Sequence, residues 1–177
     1  GIAGNSGVYL QRIMEGCPIG QFYTYEWAGY DEKGVSQFYV HDPETGERTG
    51  ETTTSPKETD QTKTGSAQPK LTYGWNNTLT YKNWSLNVFF QGTVGNKIFN
   101  ALRAQYNSVN LISQGKNVLK EALTDQKYGD VNAQYPSDRY LENGSYMRLS
   151  TLTLSYNFGN IGEWVSNLSL YATCNNV

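Results

Sequence analysis

The chain has 177 residues, a formal net charge of −2 and a mean hydropathy of −0.61. The length suits one domain with a sizeable core, and the balanced charge excludes the basic footprint of a nucleic-acid binder. Aromatic residues make up 14%, with 14 Tyr and 18 Gly, and no apolar run reaches the ~18 residues of a membrane helix, so a turn-rich β protein is indicated. A transmembrane β-barrel stays open, because its alternating strands keep mean hydropathy low.

In chain order, residues 1–19 are punctuated by Gly and carry no clear period. The absence of an initiator Met at Gly1 reads as a processed or excised chain. "GQFYTYEWAGY" (20–30) is rich in strand formers, "DEKG" (31–34) reads as a turn and "VSQFYV" (35–40) as the return strand of a hairpin. Residues 41–69 are polar, with Ala67 as their one apolar side chain, and read as a solvated loop. From Leu71 the pattern sharpens. Leu71, Tyr73, Trp75, Leu79 and Tyr81 share one parity, against Thr72, Gly74, Asn76, Thr78 and Thr80. Trp84, Leu86, Val88, Phe90 and Val94 repeat it, with Phe89 as the exception. Lys82-Asn83 between the two runs reads as a tight hairpin turn over residues 70–95.

Residues 96–140 read as a long loop holding one short helix over 117–125, where Leu119, Ala122 and Leu123 have helical spacing behind a cap at Asn117. Residues 141–177 read as strand, turn (159–167) and strand. In the first of these strands the parity slips. Met147 and Leu149 alternate out of step with Leu152, Leu154, Tyr156 and Phe158. One β-bulge near Ser150-Thr151 would align all six on one face and turn Arg148 to the other.

Such faces arise in a soluble sandwich, where the apolar side meets a second sheet, and in a membrane barrel, where it meets lipid. Period two alone does not choose between them. Three features point toward a barrel: strands near the ~9–11 residues of a tilted span, tight turns alternating with long loops, and aromatics at the short-turn ends. Those aromatics are Tyr81, Trp84, Tyr156, Phe158 and Trp164, with Tyr73 and Trp75 as an opposite girdle.

Four stretches together resemble the SusC-like (SusC/RagA) TonB-dependent outer-membrane transporters of Bacteroidetes. They are "EGCPIGQFYTYEWAGYDEKG" (15–34), "GSAQPKLTYGWNNTLTYKNWSLNVFFQGTVGNKIFN" (65–100), "RYLENGSYMRLSTLTLSYNFG" (139–159) and "LYATCNNV" (170–177). Asn175-Asn176-Val177 replaces the usual Gln-Asn-Leu, and Cys17 takes a position that is not normally Cys. The resemblance implies an all-β, antiparallel segment of one barrel domain, with 41–69 and 96–140 as external loops. It also implies that the plug domain and final strands lie outside this chain. The implied activity is uptake of oligosaccharides or peptides across the Gram-negative outer membrane, with a SusD-like lipoprotein outside, TonB as energy source and lipid around the wall. No ligand-binding residue follows from it.

Other chemistry is thin. Asp125, Asp130, Asp138 and Glu142 could supply a carboxylate pair for glycoside hydrolysis, against the plainer reading of a solvated loop. "DPETGERTGE" (42–51) lacks the spacing of a calcium loop, "GNIG" (159–162) reads as a turn, and His41 reads as a surface residue. Cys17 and Cys174 read as free thiols, and with His41 they are too few for a zinc site. No catalytic residue, metal or cofactor is expected, so an enzyme is not. The alternative function is a soluble β-sandwich carbohydrate-binding module that uses Trp27, Trp75, Trp84 or Trp164 as a stacking platform on one face.

Overall fold

The structure, a computed structural model, describes residues 9–125, 130 and 132–176. Its strands are β1 (Gln11–Arg12), β2 (Gln21–Tyr25), β3 (Trp27–Tyr30), β4 (Ser36–His41), β5 (Arg48–Thr53), β6 (Gln61–Ser66), β7 (Leu71–Tyr81), β8 (Trp84–Val94), β9 (Lys97–Phe99), β10 (Leu141–Asn143), β11 (Tyr146–Ile161) and β12 (Val165–Asn175). Two short helices, α1 (Ala101–Tyr106) and α2 (Lys120–Asp125), lie between β9 and β10. Among the described residues these strands pair antiparallel and no sheet closes on itself, while one isolated parallel bridge joins Tyr25 to Ser137. The chain divides into two compact units, Gly1–Gln68 with Asn96–Asn143, and Pro69–Gly95 with Gly144–Val177.

The first unit holds three small sheets, ordered β1-β2-β6, β3-β4-β5 and β10-β9. Among the described residues the buried apolar side chains, Phe22, Tyr25, Phe38, Ala104, Leu111, Ala122, Ala133 and Tyr140, all belong to it. Phe38 packs on Tyr25 and Tyr135, with ring centroids 5.6 and 5.8 Å away, and those two rings meet each other at 5.6 Å. The single strand expected over 20–30 is broken at Glu26. Tyr25 N donates to Pro136 O (3.0 Å) and Trp27 N to Asp138 Oδ1 (2.8 Å), so the 136–138 segment takes ladder donors on both sides of the break. β2 then pairs with β6, while β3 forms the expected hairpin with β4.

The reading of 41–69 as a bare loop is corrected. Its Thr-rich halves form β5 and β6, and Asp60 and Gln61 are buried. These strands contribute backbone pairing rather than apolar side chains, and β-branched Thr suits that role. The expected helix is present but starts at Lys120, so Asn117 is not its cap. Leu123, expected on its apolar face, is exposed, while Ala122 is buried. The first helix, α1, was not foreseen. Asn100 caps it by accepting from Arg103 N (2.9 Å), and that Asn was its one sequence signal.

The second unit is one four-stranded sheet, ordered β12-β11-β8-β7. β7 and β8 pair without interruption from Leu71↔Val94 to Tyr81↔Trp84, so Lys82-Asn83 is a two-residue turn, with Lys82 at φ 52°. The moderate turn expected at 159–167 is shorter. β11 runs on to Ile161, which pairs with Val165, and Gly162 in the turn takes φ 66°. The anticipated bulge is present. Leu149 pairs with Phe90 and Thr151 with Phe89, which leaves Ser150 as the extra residue.

Candidate membrane-spanning wall

Register fixes what each face of the second unit carries. Tyr73, Trp75, Leu79 and Tyr81 stand opposite Gly92, Phe90, Leu86 and Trp84. Those β8 residues in turn stand opposite Met147, Leu149, Leu154 and Tyr156, and Val88 opposite Leu152. Leu170, Ala172 and Cys174 continue the row on β12. The bulge at Ser150 keeps Met147 and Leu149 on this face, because it absorbs the odd residue between Leu149 and Leu152. The row is interrupted by Asn77, opposite Val88.

Among the described residues of this unit, no second layer covers the apolar face. Leu79 is 60% exposed, Met147 68% and Leu170 59%. No described residue of Pro69–Gly95 or Gly144–Val177 joins the buried apolar core. A soluble sandwich would bury these side chains at several kcal/mol in total, so the binding-module alternative lacks its required packing. The Trp residues do not make a platform either. Trp75 and Trp84 lie toward opposite ends of the sheet, Trp164 stands out of the β11–β12 turn at 96% exposure, and Trp27 belongs to the other unit, beneath the Arg139 guanidinium (4.4 Å).

Aromatic rings form two bands instead. At the short-turn end Trp84 packs on Tyr156 (4.7 Å) and Tyr156 on Phe158 (4.6 Å). Toward the other end Trp75 stacks on Phe90 (5.8 Å), and Tyr73 lies over Gly92. From Tyr73 to Tyr81 the strand advances about 26 Å at ~3.3 Å per residue, and a tilt of ~40° reduces this to roughly 20 Å along a bilayer normal. Leu79, Leu86, Val88, Leu152 and Leu154 occupy the space between the bands.

The opposite face carries hydroxyls and amides that bond across strands. Asn87 Nδ2 donates to Asn76 Oδ1 (3.0 Å) and Thr78 Oγ1 (2.9 Å), Thr153 and Thr173 hydroxyls meet at 3.0 Å, and Ser155 Oγ donates to Ser85 O (3.3 Å). Phe89, the exception to the alternation, lies on this face. Its ring fits because Gly74 leaves room; a Cβ there would lie 3.3 Å from the ring. A wall with one dry face and one face that water or polar protein can solvate is what a transmembrane strand requires.

The other residues singled out in the sequence have structural roles. Asp130 is buried, accepting from Ser36 N (3.2 Å), Ser36 Oγ (2.8 Å) and Asn132 N (3.0 Å). Asp138 accepts from Trp27 N, and burial raises its carboxyl above the usual range. Glu142 accepts from Asn100 Nδ2 (2.9 Å), and the side chain of Asp125 lies outside the described residues. Each described carboxylate thus faces different partners, and no hydrolytic pair is assembled among them. His41 is not a surface residue. It is 4% exposed, with Nε2 3.2 Å from Glu26 Oε2 and its backbone N directed at Asp60 Oδ1 (3.4 Å), because β4 lies between β3 and β5. Asp42 closes the β4–β5 turn by accepting from Glu44 N (2.7 Å) and Thr45 N (3.1 Å), which lower its pKa. Cys17 and Cys174 are both free. Among the described residues no group of three or more His, Cys, Asp and Glu could hold a metal ion.

No family model matches the chain. It is 31% identical over 175 residues to TonB-dependent receptor P3 of Formosa agariphila, which covers 85% of this chain and 17% of that protein. To TonB-dependent receptor P26 of the same organism it is 32% identical over 125 residues, 64% of this chain and 13% of that one. Among solved structures, the RagAB peptide transporter aligns at TM-score 0.63 and 24% identity over 88% of this chain and 19% of its own. The RagAB peptide importer in the open-open state aligns at TM-score 0.68 and 22% identity over 98% and 21%. The structural likenesses speak for the fold, and the sequence likenesses for the lineage. The chain spans about a sixth of the length of receptor P3. Fold, face pattern and relatives agree: this chain belongs to the TonB-dependent receptors, and its fold matches a segment of the RagAB structures.

Proposed function

We propose that β7, β8, β11 and β12 are consecutive membrane-crossing strands of an outer-membrane importer, with the apolar row against lipid and the hydroxyl-amide row toward the lumen. The carrying observation is the single-layer sheet whose apolar face is exposed between two aromatic bands. The segments of the first unit join the sheet at Leu71, Val94 and Tyr146, the strand ends opposite the Lys82-Asn83 turn. This supports placing 41–69 and 96–140 outside the cell, since barrels of this kind turn tightly on the periplasmic side. The transported nutrient is an oligosaccharide or a peptide, received with a SusD-like lipoprotein and moved with energy from TonB. The structural likeness to the RagAB peptide transporter supports the import reading.

Spin labels placed singly at residues 152, 153, 154 and 155 of the full receptor test it, in a background carrying Cys17→Ser and Cys174→Ser. In bilayers, oxygen accessibility is expected to peak at 152 and 154, and accessibility to a water-soluble nickel reagent at 153 and 155. Equal accessibility at all four positions would remove the membrane assignment.

A further inference from the structure

Arg148 is the one charged residue in the four strands of the second unit. The bulge at Ser150 determines where it points. With regular pairing it would share a face with Leu152, whereas the extra residue places it opposite Gln91 on the polar face. There the guanidinium is pre-oriented. With the Gln91 amide turned to satisfy its neighbours, its oxygen accepts from Arg148 Nε (3.2 Å) and Nη2 (2.8 Å) and from Ser150 Oγ (3.0 Å). The bulge residue therefore also anchors the acceptor. Tyr146 flanks the cation at 5.5 Å. No carboxylate pairs with Arg148 among the described residues, and its side chain is exposed.

Gln91 occupies the Nε edge of the guanidinium. The remaining edge, formed by Nη1 and the outer N–H of Nη2, faces away from that bond and matches the two oxygens of a carboxylate. We propose that Arg148 is a carboxylate-binding group on the polar wall, and that its occupant is an Asp or Glu of the receptor's own polypeptide inside the barrel. Most of a relative such as P3 lies outside the matched segment, and large outer-membrane transporter barrels hold a plugged lumen, so an internal partner is available. A cation held by a neutral amide and presented from an otherwise uncharged wall is complementary to a fixed anion. It locks the register of whatever packs against the wall at this depth, as Arg does at bidentate sites. This inference rests on the barrel reading of the preceding subsection.

The test uses the full receptor carrying Arg148→Lys, treated in membranes with a zero-length carbodiimide and mapped by mass spectrometry. The expected result is a cross-link from the peptide containing position 148 to an acidic peptide outside residues 1–177, lost in Arg148→Gln. An adduct that forms only when an acidic tetrapeptide is added assigns the anion to the solute and overturns the proposal, as does the absence of any cross-link at 148. If Arg148→Lys fails to assemble, phenylglyoxal footprinting of the unmodified receptor reads the same contact. Protection of Arg148 until denaturation is expected, and reactivity equal to that of a freely exposed Arg overturns it. Spin-label alternation at 152–155 with no cross-link would remove this inference alone. Loss of the alternation would remove the barrel reading beneath it.

Discussion

The two units use the same period-two alphabet and do opposite things with it. In the first, Phe38 and Tyr140 are each 1% exposed, and buried polar side chains bond within the unit, with Trp27 Nε1 and His41 Nδ1 left without a hydrogen-bond partner among the described residues. Ser36 Oγ bonds Asp130 (2.8 Å), and Asn107 Nδ2 bonds the Tyr140 hydroxyl (3.0 Å). In the second, Leu79, Trp75 and Leu154 lie open, and no second layer forms among the described residues of that unit. Alternation therefore reports that a strand has two faces, and not what fills the space beside each. A self-packed unit draws its stability from cavity-free contact, while a wall depends on matching each face to a different solvent.

The sharpest way to break the contrast is to truncate matched apolar groups. Phe38→Ala is expected to cost about 3–5 kcal/mol, because the buried space beside Tyr25 and Tyr135 would stay empty. Leu154→Ala should cost far less in membranes, where acyl chains refill the gap. Hydrogen exchange of β4 and β11 amides in the full receptor would separate the two, and equal losses would erase the distinction. Next comes charge. Leu152→Arg is expected to destabilise by about 2–4 kcal/mol in a bilayer, and Thr153→Arg by little, since the proposed barrel turns only the first toward lipid. Folding titrations in lipid vesicles measure both.

A smaller effect, about 1–3 kcal/mol, is expected from Gly92→Ala. The new Cβ would lie 2.5 Å from Tyr73 Oη and collide with Tyr146 O, so the ring covering Gly92 would have to leave and the β11 backbone at Tyr146 would have to shift. A lost Tyr73 contact should appear as a lower midpoint in the same titration. Lys82→Gly should gain about 1 kcal/mol by relieving a left-handed backbone at φ 52°.

The smallest expected effects are pH slopes confined to the first unit. Burial raises the folded Asp138 carboxyl above its ordinary value. Its protonated form is therefore the better one in the fold, and that contribution is lost as pH rises through the raised value. Asp138→Asn keeps an acceptor for Trp27 N and should flatten this loss. Glu121 behaves oppositely. Arg103, bonded to both its oxygens at 2.9 Å, lowers its pKa, so its contribution holds above the ordinary carboxylate range and fades as pH falls through the lowered value. Midpoints followed across the carboxylate range for Asp138→Asn and Glu121→Gln should diverge in opposite directions.

Much of the second unit was legible in residue order. The turn at Lys82-Asn83, the facing rows and the bulge all follow from parity, because a single extra residue inverts every later side chain. The first unit was read less well. Residues 41–69 looked like bare loop because β5 and β6 contribute backbone pairing, which leaves no apolar signature. The break at Glu26 depends on Pro136 and Asp138, more than a hundred residues away. His41 looked like a surface group because nothing local announces that strands will cover it.

Residue order by itself determined the strand faces, the place where their parity shifts and the kinship with TonB-dependent receptors. Each is written in neighbouring side chains two residues apart or in short ordered motifs. Tertiary structure alone decided that the apolar row has no covering sheet, that Arg148 shares an acceptor with the bulge residue, and that the polar 41–69 stretch is paired rather than loose. Those outcomes depend on which distant backbone donors and side chains meet, and no local period encodes that.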